Sequence, residues 1–228
     1  MKVAYITGAA KGLGNRIAEV LSEEYELALG VNKTPISGFD DALIIKGDVA
    51  DPKTSFRAEK EIRAKYGRLD LFVANAGMIV NELLISTSEE DWDRSIAVNL
   101  NGIFFGIRAL FELLTESKGS IVIISSILGK RGAIGSAAYT ASKAGLFGLA
   151  LSSAKELAPN VRVNSILPGY LDTDMGQTSP KGMEFARNEH LLKRLGSIDD
   201  VAQMVLALSK MEGVTGQIFS PDGRLSSW

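Results

Sequence analysis

The sequence contains no cysteine and a single histidine, His190. Disulfides and thiolate metal centres are thereby excluded, and a site built from several imidazoles has no residues to build it. No metal site is expected. Neither sign of charge is in excess: 25 Lys and Arg stand against 27 Asp and Glu, a formal net charge of −2. A nucleic-acid-binding surface would show as a marked basic surplus. Long hydrophobic runs are missing too, with no segment approaching the roughly 18 apolar residues of a membrane span. The N-terminus offers one lysine and a handful of apolar residues, too short for an export signal. Together these absences point to a soluble, cytoplasmic protein with neither nucleic acid nor membrane as partner.

Apolar residues are plentiful, at 46% of 228 residues. That suffices for one large α/β domain and is too short for two, so residues 1–228 are expected to form a single domain. Short aliphatic or β-branched runs recur at 2–7, 26–31, 42–47, 69–74, 120–125, 161–167 and 217–220. Most lack polar alternation, as strands buried on both faces do. Helical patterns separate most of them. Ile17, Ala18, Leu21 and Tyr25 share one helical face, and Ile96, Leu100, Phe104, Ile107 and Phe111 another. Ser197 reads as the N-cap of a helix over 197–210, with two acids in its first turn. The alternation predicts right-handed βαβ units and a Rossmann-type, doubly wound parallel sheet of about seven strands, helices on both faces. One connection is abbreviated. Residues 32–41, NKTPISGFDD, read as a loop where a parallel crossover usually needs a dozen or more residues.

Between the first strand and the first helix lies TGAAKGLG, residues 7–14. A Gly-rich turn delivering the chain into a helix N-terminus forms an anion site. The first helical N–H groups lack internal partners, and glycines let a pyrophosphate approach the backbone. A merely tight turn is the alternative reading of this loop alone. Further along, YTASK places Tyr139 and Lys143 four apart, on one helical face and about 5–6 Å apart at Cβ. A phenol of reference pKa about 10 is a poor base at neutral pH, and lowering it to near 7 takes about 4 kcal/mol of differential stabilisation. A neighbouring ammonium supplies stabilisation of that sign. A Tyr and a Lys at this spacing also occur on ordinary helix surfaces. Here, however, a buried strand ends near Ser126, thirteen residues before Tyr139, and small residues surround the tyrosine.

These motifs resemble the short-chain dehydrogenase/reductase family over nearly the whole chain. Thr7, Gly8, Gly12 and Gly14 match its T-G-x-x-x-G-x-G signature; VANAG carries its N-A-G motif at Asn75, Ala76 and Gly77; VNLNG carries its asparagine at Asn99. RVNSILPGYLDTDM and VTGQIFSPDG match the nicotinamide-side stretch and the closing strand. The resemblance implies an NAD(P)-dependent oxidoreductase that exchanges a hydride with a carbonyl or secondary alcohol. Its flavour is nearest the 3-oxoacyl-carrier-protein reductases. A sugar or secondary-alcohol dehydrogenase is the alternative, and a non-catalytic NAD(P)-sensing regulator the alternative from another class. A sensor is expected to have lost one or more of the family's four catalytic residues, and Asn99, Ser126, Tyr139 and Lys143 are all present.

The implied catalytic residues are Asn99, Ser126, Tyr139 and Lys143. Tyr139 exchanges the proton, Lys143 lowers its pKa and holds the nicotinamide ribose, Ser126 binds the substrate oxygen, and Asn99 holds a water through its local backbone. The implied cofactor contacts are Gly8, Lys11, Gly12, Leu13 and Gly14 in the glycine loop; Asn32 and Lys33 after the second strand; Asp48 and Val49 beside the adenine. They continue with Asn75, Ala76 and Gly77, Tyr139 and Lys143, and Pro168, Gly169, Leu171 and Thr173 along the nicotinamide. No acid ends the second strand, whereas Lys33 and Lys11 can meet a 2′-phosphate, so NADP(H) is expected, with NAD(H) as the alternative. Residues 174–195 are expected to form a short mobile lid, with Met78, Ile127, Leu128 and Tyr170 lining an apolar pocket for a small carbonyl or alcohol. Lys130 and Arg131 read as a solvated pair, His190 as a lid-helix surface residue, Trp92 as packing, and residues 86–93 as a capped helix start. The family implies a homo-oligomer, tetramer or dimer, with Trp228 at a contact.

Overall fold

β1 (Lys2–Thr7) forms because Val3, Ala4, Tyr5, Ile6 and Thr7 are all buried, leaving no face for water. The computed structural model describes residues 1–224; the expected contact of Trp228 lies outside the described residues. The chain continues through α1 (Gly12–Leu21), β2 (Tyr25–Val31), β3 (Leu43–Lys46), α2 (Pro52–Tyr66) and β4 (Leu71–Ala74). After a short 3₁₀ turn come α3 (Glu89–Ile96), a π turn over Ala97–Asn101, α4 (Gly102–Glu116), β5 (Ser120–Ile124), α5 (Leu128–Arg131) and α6 (Ala137–Leu157). The last part holds β6 (Arg162–Ile166), α7 (Asp174–Gln177), α8 (Pro180–Glu189), α9 (Ile198–Lys210) and β7 (Ile218–Phe219).

The seven strands form one parallel sheet in the order β3-β2-β1-β4-β5-β6-β7. Alternate residues of each strand enter separate cores. Val3, Tyr5, Phe72, Ile121 and Ile123 meet α2, α4 and α6 on one face, through Ile62, Leu110, Leu113 and Leu146. Ala4, Ile6, Leu71, Val73 and Val122 meet α1 and α9 on the other, through Ile17, Leu21, Val201 and Val205. The strand order reverses between β1 and β4. In an open α/β sheet the crevice lies there, at the carboxyl ends of the strands.

The β2–β3 connection is a loop without a helix, as its length predicts. Ile36, Phe39 and Ala42 fold from it onto the α1/α9 core and cover the sheet where a crossover helix would lie. Ser197 caps α9 by accepting the N–H groups of Asp199 and Asp200, and Ser88 caps α3 by accepting that of Asp91.

Three expectations are corrected. Tyr25 belongs to β2, not to the α1 face, because α1 ends at Leu21 and the chain turns at once into the sheet. Phe104 and Phe111 are 43% and 40% exposed. Ile103, Ile107, Leu110 and Leu114 form the buried face of α4 instead. Finally, the run Glu89–Glu116 contains an 18-residue window of mean hydropathy 1.4, long and apolar enough to cross a membrane. Half of that window is buried inside the protein, where the run serves as the central helix of a sheet layer.

Candidate active site

Thr7, the last residue of β1, joins the two strands that flank the crevice. Its Oγ1 accepts the N–H groups of Asn75 and Ala76, both at 3.1 Å, and donates to the Val73 carbonyl. Asn75 returns the contact, its side-chain amide donating to the carbonyls of Thr7 (3.0 Å) and Gly8 (3.2 Å). The glycine loop is thereby braced from below, and its upper surface faces the crevice. Gly8 lies at φ +69°, a conformation that side chains disfavour, and a Cβ there would come within 2.9 Å of the Ala76 backbone. A Cβ on Gly14 would sit 2.1 Å from the Gly8 carbonyl oxygen, so this glycine lets α1 enter directly against the loop.

A cleft of about 420 Å³ opens above the loop. Every residue expected to touch a dinucleotide lines it: the glycine loop with Lys11 and Leu13, Asn32 and Lys33, Asp48 and Val49, Asn75 to Gly77, Tyr139 and Lys143, and Pro168, Gly169, Leu171 and Thr173. Ser126 lines it as well, and so do Met78, Ile127, Leu128 and Tyr170. A Gly-rich turn at a helix N-terminus, open to a cleft of this length, suits the pyrophosphate of a dinucleotide. The residues present therefore fit such a group.

Asn99 does not line the cleft. It is fully buried in the π turn, where its Oδ1 accepts the Met78 N–H (2.8 Å) and its Nδ2 donates to the Met78 carbonyl (2.9 Å) and Ser142 Oγ (3.0 Å). The side chain thus pins the segment after β4 to α6. π turns leave backbone groups out of the regular helical ladder and recur at functional sites.

Tyr139 and Lys143 stand in the first turns of α6, both buried, with Lys143 Nζ 5.8 Å from the Tyr139 ring centroid. Nζ donates to the Ile124 carbonyl at the end of β5 (2.8 Å). Burial pulls the Lys143 pKa down to about 8. Burial likewise raises that of Tyr139; a hydrogen bond with Ser126 opposes this, and Tyr170 adds to it. Desolvation is the largest influence on this phenol and favours its protonated form, so it keeps its proton at neutral pH. Such a phenol is placed to donate a proton to an oxygen gaining charge beside it. Ser126 Oγ accepts the Leu128 N–H (3.1 Å), which orients the hydroxyl at the cleft wall.

Lys11 forms an exposed ion pair with Asp174 (2.7 Å), joining the glycine loop to the start of α7. That contact holds Asp174 below the usual carboxylate range. His190 is only 5% exposed, against the expectation of a surface position. Its Nδ1 accepts the Leu192 N–H, and Leu191 donates to the Gly223 carbonyl, so the chain beyond β7 lies over it. Trp92 is 39% exposed rather than packed. Among the described residues no group of three His, Cys, Asp or Glu is placed to hold a metal. Sequence reasoning missed Arg94, which lines the cleft from α3 and bonds Asp48 Oδ2 at 2.5 Å. Nothing local links the two residues, since 46 positions separate them.

Residues 2–184 match the family model described as short chain dehydrogenase. Among curated relatives, the 3-oxoacyl-[acyl-carrier-protein] reductase of Thermotoga maritima is 37% identical, covering 98% of this chain and 97% of that protein. The reductase of the same name from Staphylococcus aureus is 35% identical, covering 97% of each. Among solved structures, a short-chain dehydrogenase/reductase (glucose/ribitol dehydrogenase) from Brucella melitensis superposes with a TM-score of 0.92 at 26% identity, covering 100% of this chain and 97% of that one. The aldohexose dehydrogenase of Thermoplasma acidophilum superposes with a TM-score of 0.90 at 28% identity, with the same coverage. Cleft, motifs and relatives agree: the chain belongs to the short-chain dehydrogenase/reductase family and is an oxidoreductase.

Proposed function

We propose that the protein is an NADP(H)-dependent carbonyl reductase whose substrate is a 3-oxoacyl thioester, working as a single domain over residues 1–228. The convergence of Ser126, Tyr139 and Lys143 on the cleft that the glycine loop opens carries this reading. The bound dinucleotide supplies the hydride. The chain's own residues do the rest. Ser126 Oγ holds the substrate carbonyl oxygen against Tyr139. Tyr139, whose phenol is protonated at neutral pH, gives its proton to that oxygen as charge develops there. Lys143 places a positive charge beside the phenol and stabilises the phenolate left behind, while its bond to the Ile124 carbonyl fixes its reach. Asn99 orders the backbone through which protons return to Lys143 from solvent.

Lys11 and Lys33 favour NADP(H), since cations at the adenosine end meet a 2′-phosphate through charge-assisted contacts. Residues 174–195, carrying α7 and α8, act as the lid that excludes water during transfer. The chain works as a homo-oligomer. Sugar or secondary-alcohol oxidation is the second reading, favoured by the superposition on an aldohexose dehydrogenase. One experiment separates the possibilities: NADPH consumption with acetoacetyl thioester, and NADP⁺ reduction with aldoses, for the wild type and Tyr139→Phe. The reading expects thioester reduction that Tyr139→Phe abolishes while NADPH binding persists. Unchanged turnover by the variant would remove the proposed proton donor.

A further inference from the structure

Asp48 stands at the carboxyl end of β3, on the wall of the cleft that Lys33 also lines. Its carboxylate does not swing freely. Oδ1 accepts the Ala50 N–H at 2.9 Å, and Oδ2 accepts Arg94 Nη2 at 2.5 Å. Arg94 comes from α3, and it too reaches the cleft. Burial by itself would push the Asp48 carboxyl up; Ala50, Arg94 and Lys33 outweigh it and hold the group ionised. Left alone, an anion at this point would repel a dinucleotide that carries an extra phosphate. Charges several ångströms apart at a protein surface interact strongly enough to change an affinity about tenfold.

We propose that Arg94 is a positioning and specificity-determining residue: it fixes the Asp48 carboxylate as an acceptor for the adenine end and cancels the negative charge that would disfavour a phosphorylated ribose. The proposal rests on the NADP(H) reading, and it assigns a role to a side chain that makes no contact with the reacting atoms. Two consequences follow. Losing Arg94 weakens NADPH binding more than NADH binding, because only NADPH meets the unmasked charge. Removing the Asp48 charge as well abolishes that difference, because nothing remains to be masked.

The test is equilibrium binding of NADPH and of NADH, followed by nicotinamide fluorescence, for the wild type, Arg94→Met, Arg94→Lys, Asp48→Asn and the double variant Asp48→Asn/Arg94→Met. Arg94→Met is expected to lower the NADPH-to-NADH affinity ratio about tenfold. Arg94→Lys keeps the ratio near that of the wild type, and the double variant restores it. An equal loss for both dinucleotides in Arg94→Met would overturn the proposal. So would a double variant whose ratio stays as low as that of Arg94→Met, since Arg94 would then contact the phosphate directly. A wild type that binds NADH more tightly overturns the cofactor reading alone; the response of the ratio to Arg94→Met still decides this proposal.

Discussion

Replacing Lys143 with methionine should make the folded protein more stable at neutral pH while removing its activity. The ammonium is buried and its pKa falls from 10.5 to about 8. The folded state therefore disfavours the charged form by about 3 kcal/mol at pH 7. Methionine is unbranched, one atom shorter than lysine, and carries no charge to desolvate. Against this gain stands the Ile124 carbonyl, which loses its 2.8 Å partner. A buried acceptor left unpaired costs about 1–2 kcal/mol. The net expectation is a stabilisation of about 1–2 kcal/mol at pH 7. The sign depends on pH. Below pH 8 both folded and unfolded chains carry the charge, and the full penalty applies. As pH rises from 8 toward 10.5 the folded chain has released the proton while the unfolded chain still holds it. The wild type gains stability relative to the variant throughout that window. By pH 10 the advantage of Lys143→Met should have shrunk by about 2–3 kcal/mol and vanished or reversed. Urea unfolding of both proteins at pH 7 and pH 10, at one fixed protein concentration, measures this. A variant less stable than the wild type at pH 7, or a gap that ignores pH, would refute the reasoning that burial costs the ammonium its charge.

The same depressed pKa predicts that kcat/KM for carbonyl reduction falls above about pH 8, as Lys143 loses the charge that supports the departing proton; a pH–rate profile flat to pH 10 would contradict it. Gly14→Ala should destabilise the protein by about 1–3 kcal/mol, by analogy with overpacked cores, and abolish dinucleotide binding. Its Cβ would lie 2.1 Å from the Gly8 carbonyl oxygen, a backbone atom with no room to yield. Thermal unfolding and NADPH titration check the two halves of that expectation.

Much of this protein was legible in local sequence. Each of the seven apolar runs became a strand, and the central ones are apolar at nearly every position because they are buried on both faces. The glycine loop, VANAG, and the Tyr139–Lys143 pair fell where strand–turn–helix grammar puts them, all on one cleft. Their convergence follows from strand order: β1, β4, β5 and β6 end side by side at the crevice. Other features depended on partners distant along the chain. Phe104 and Phe111 stand at the surface, because which side of the apolar α4 is covered depends on the sheet and the helices packed against it. His190 is covered by a segment more than thirty positions away, around Gly223.

Residue type and spacing alone determined the doubly wound sheet, the family and the set of polar groups around the cleft, because burial period and turn chemistry are properties of neighbouring residues. Tertiary structure alone decided that burial raises the Tyr139 pKa, that Lys143 gives up part of its hold on a proton, and that Arg94 clamps Asp48. Desolvation and ion pairing depend on what the fold brings within a few ångströms, and the linear chain does not encode those distances.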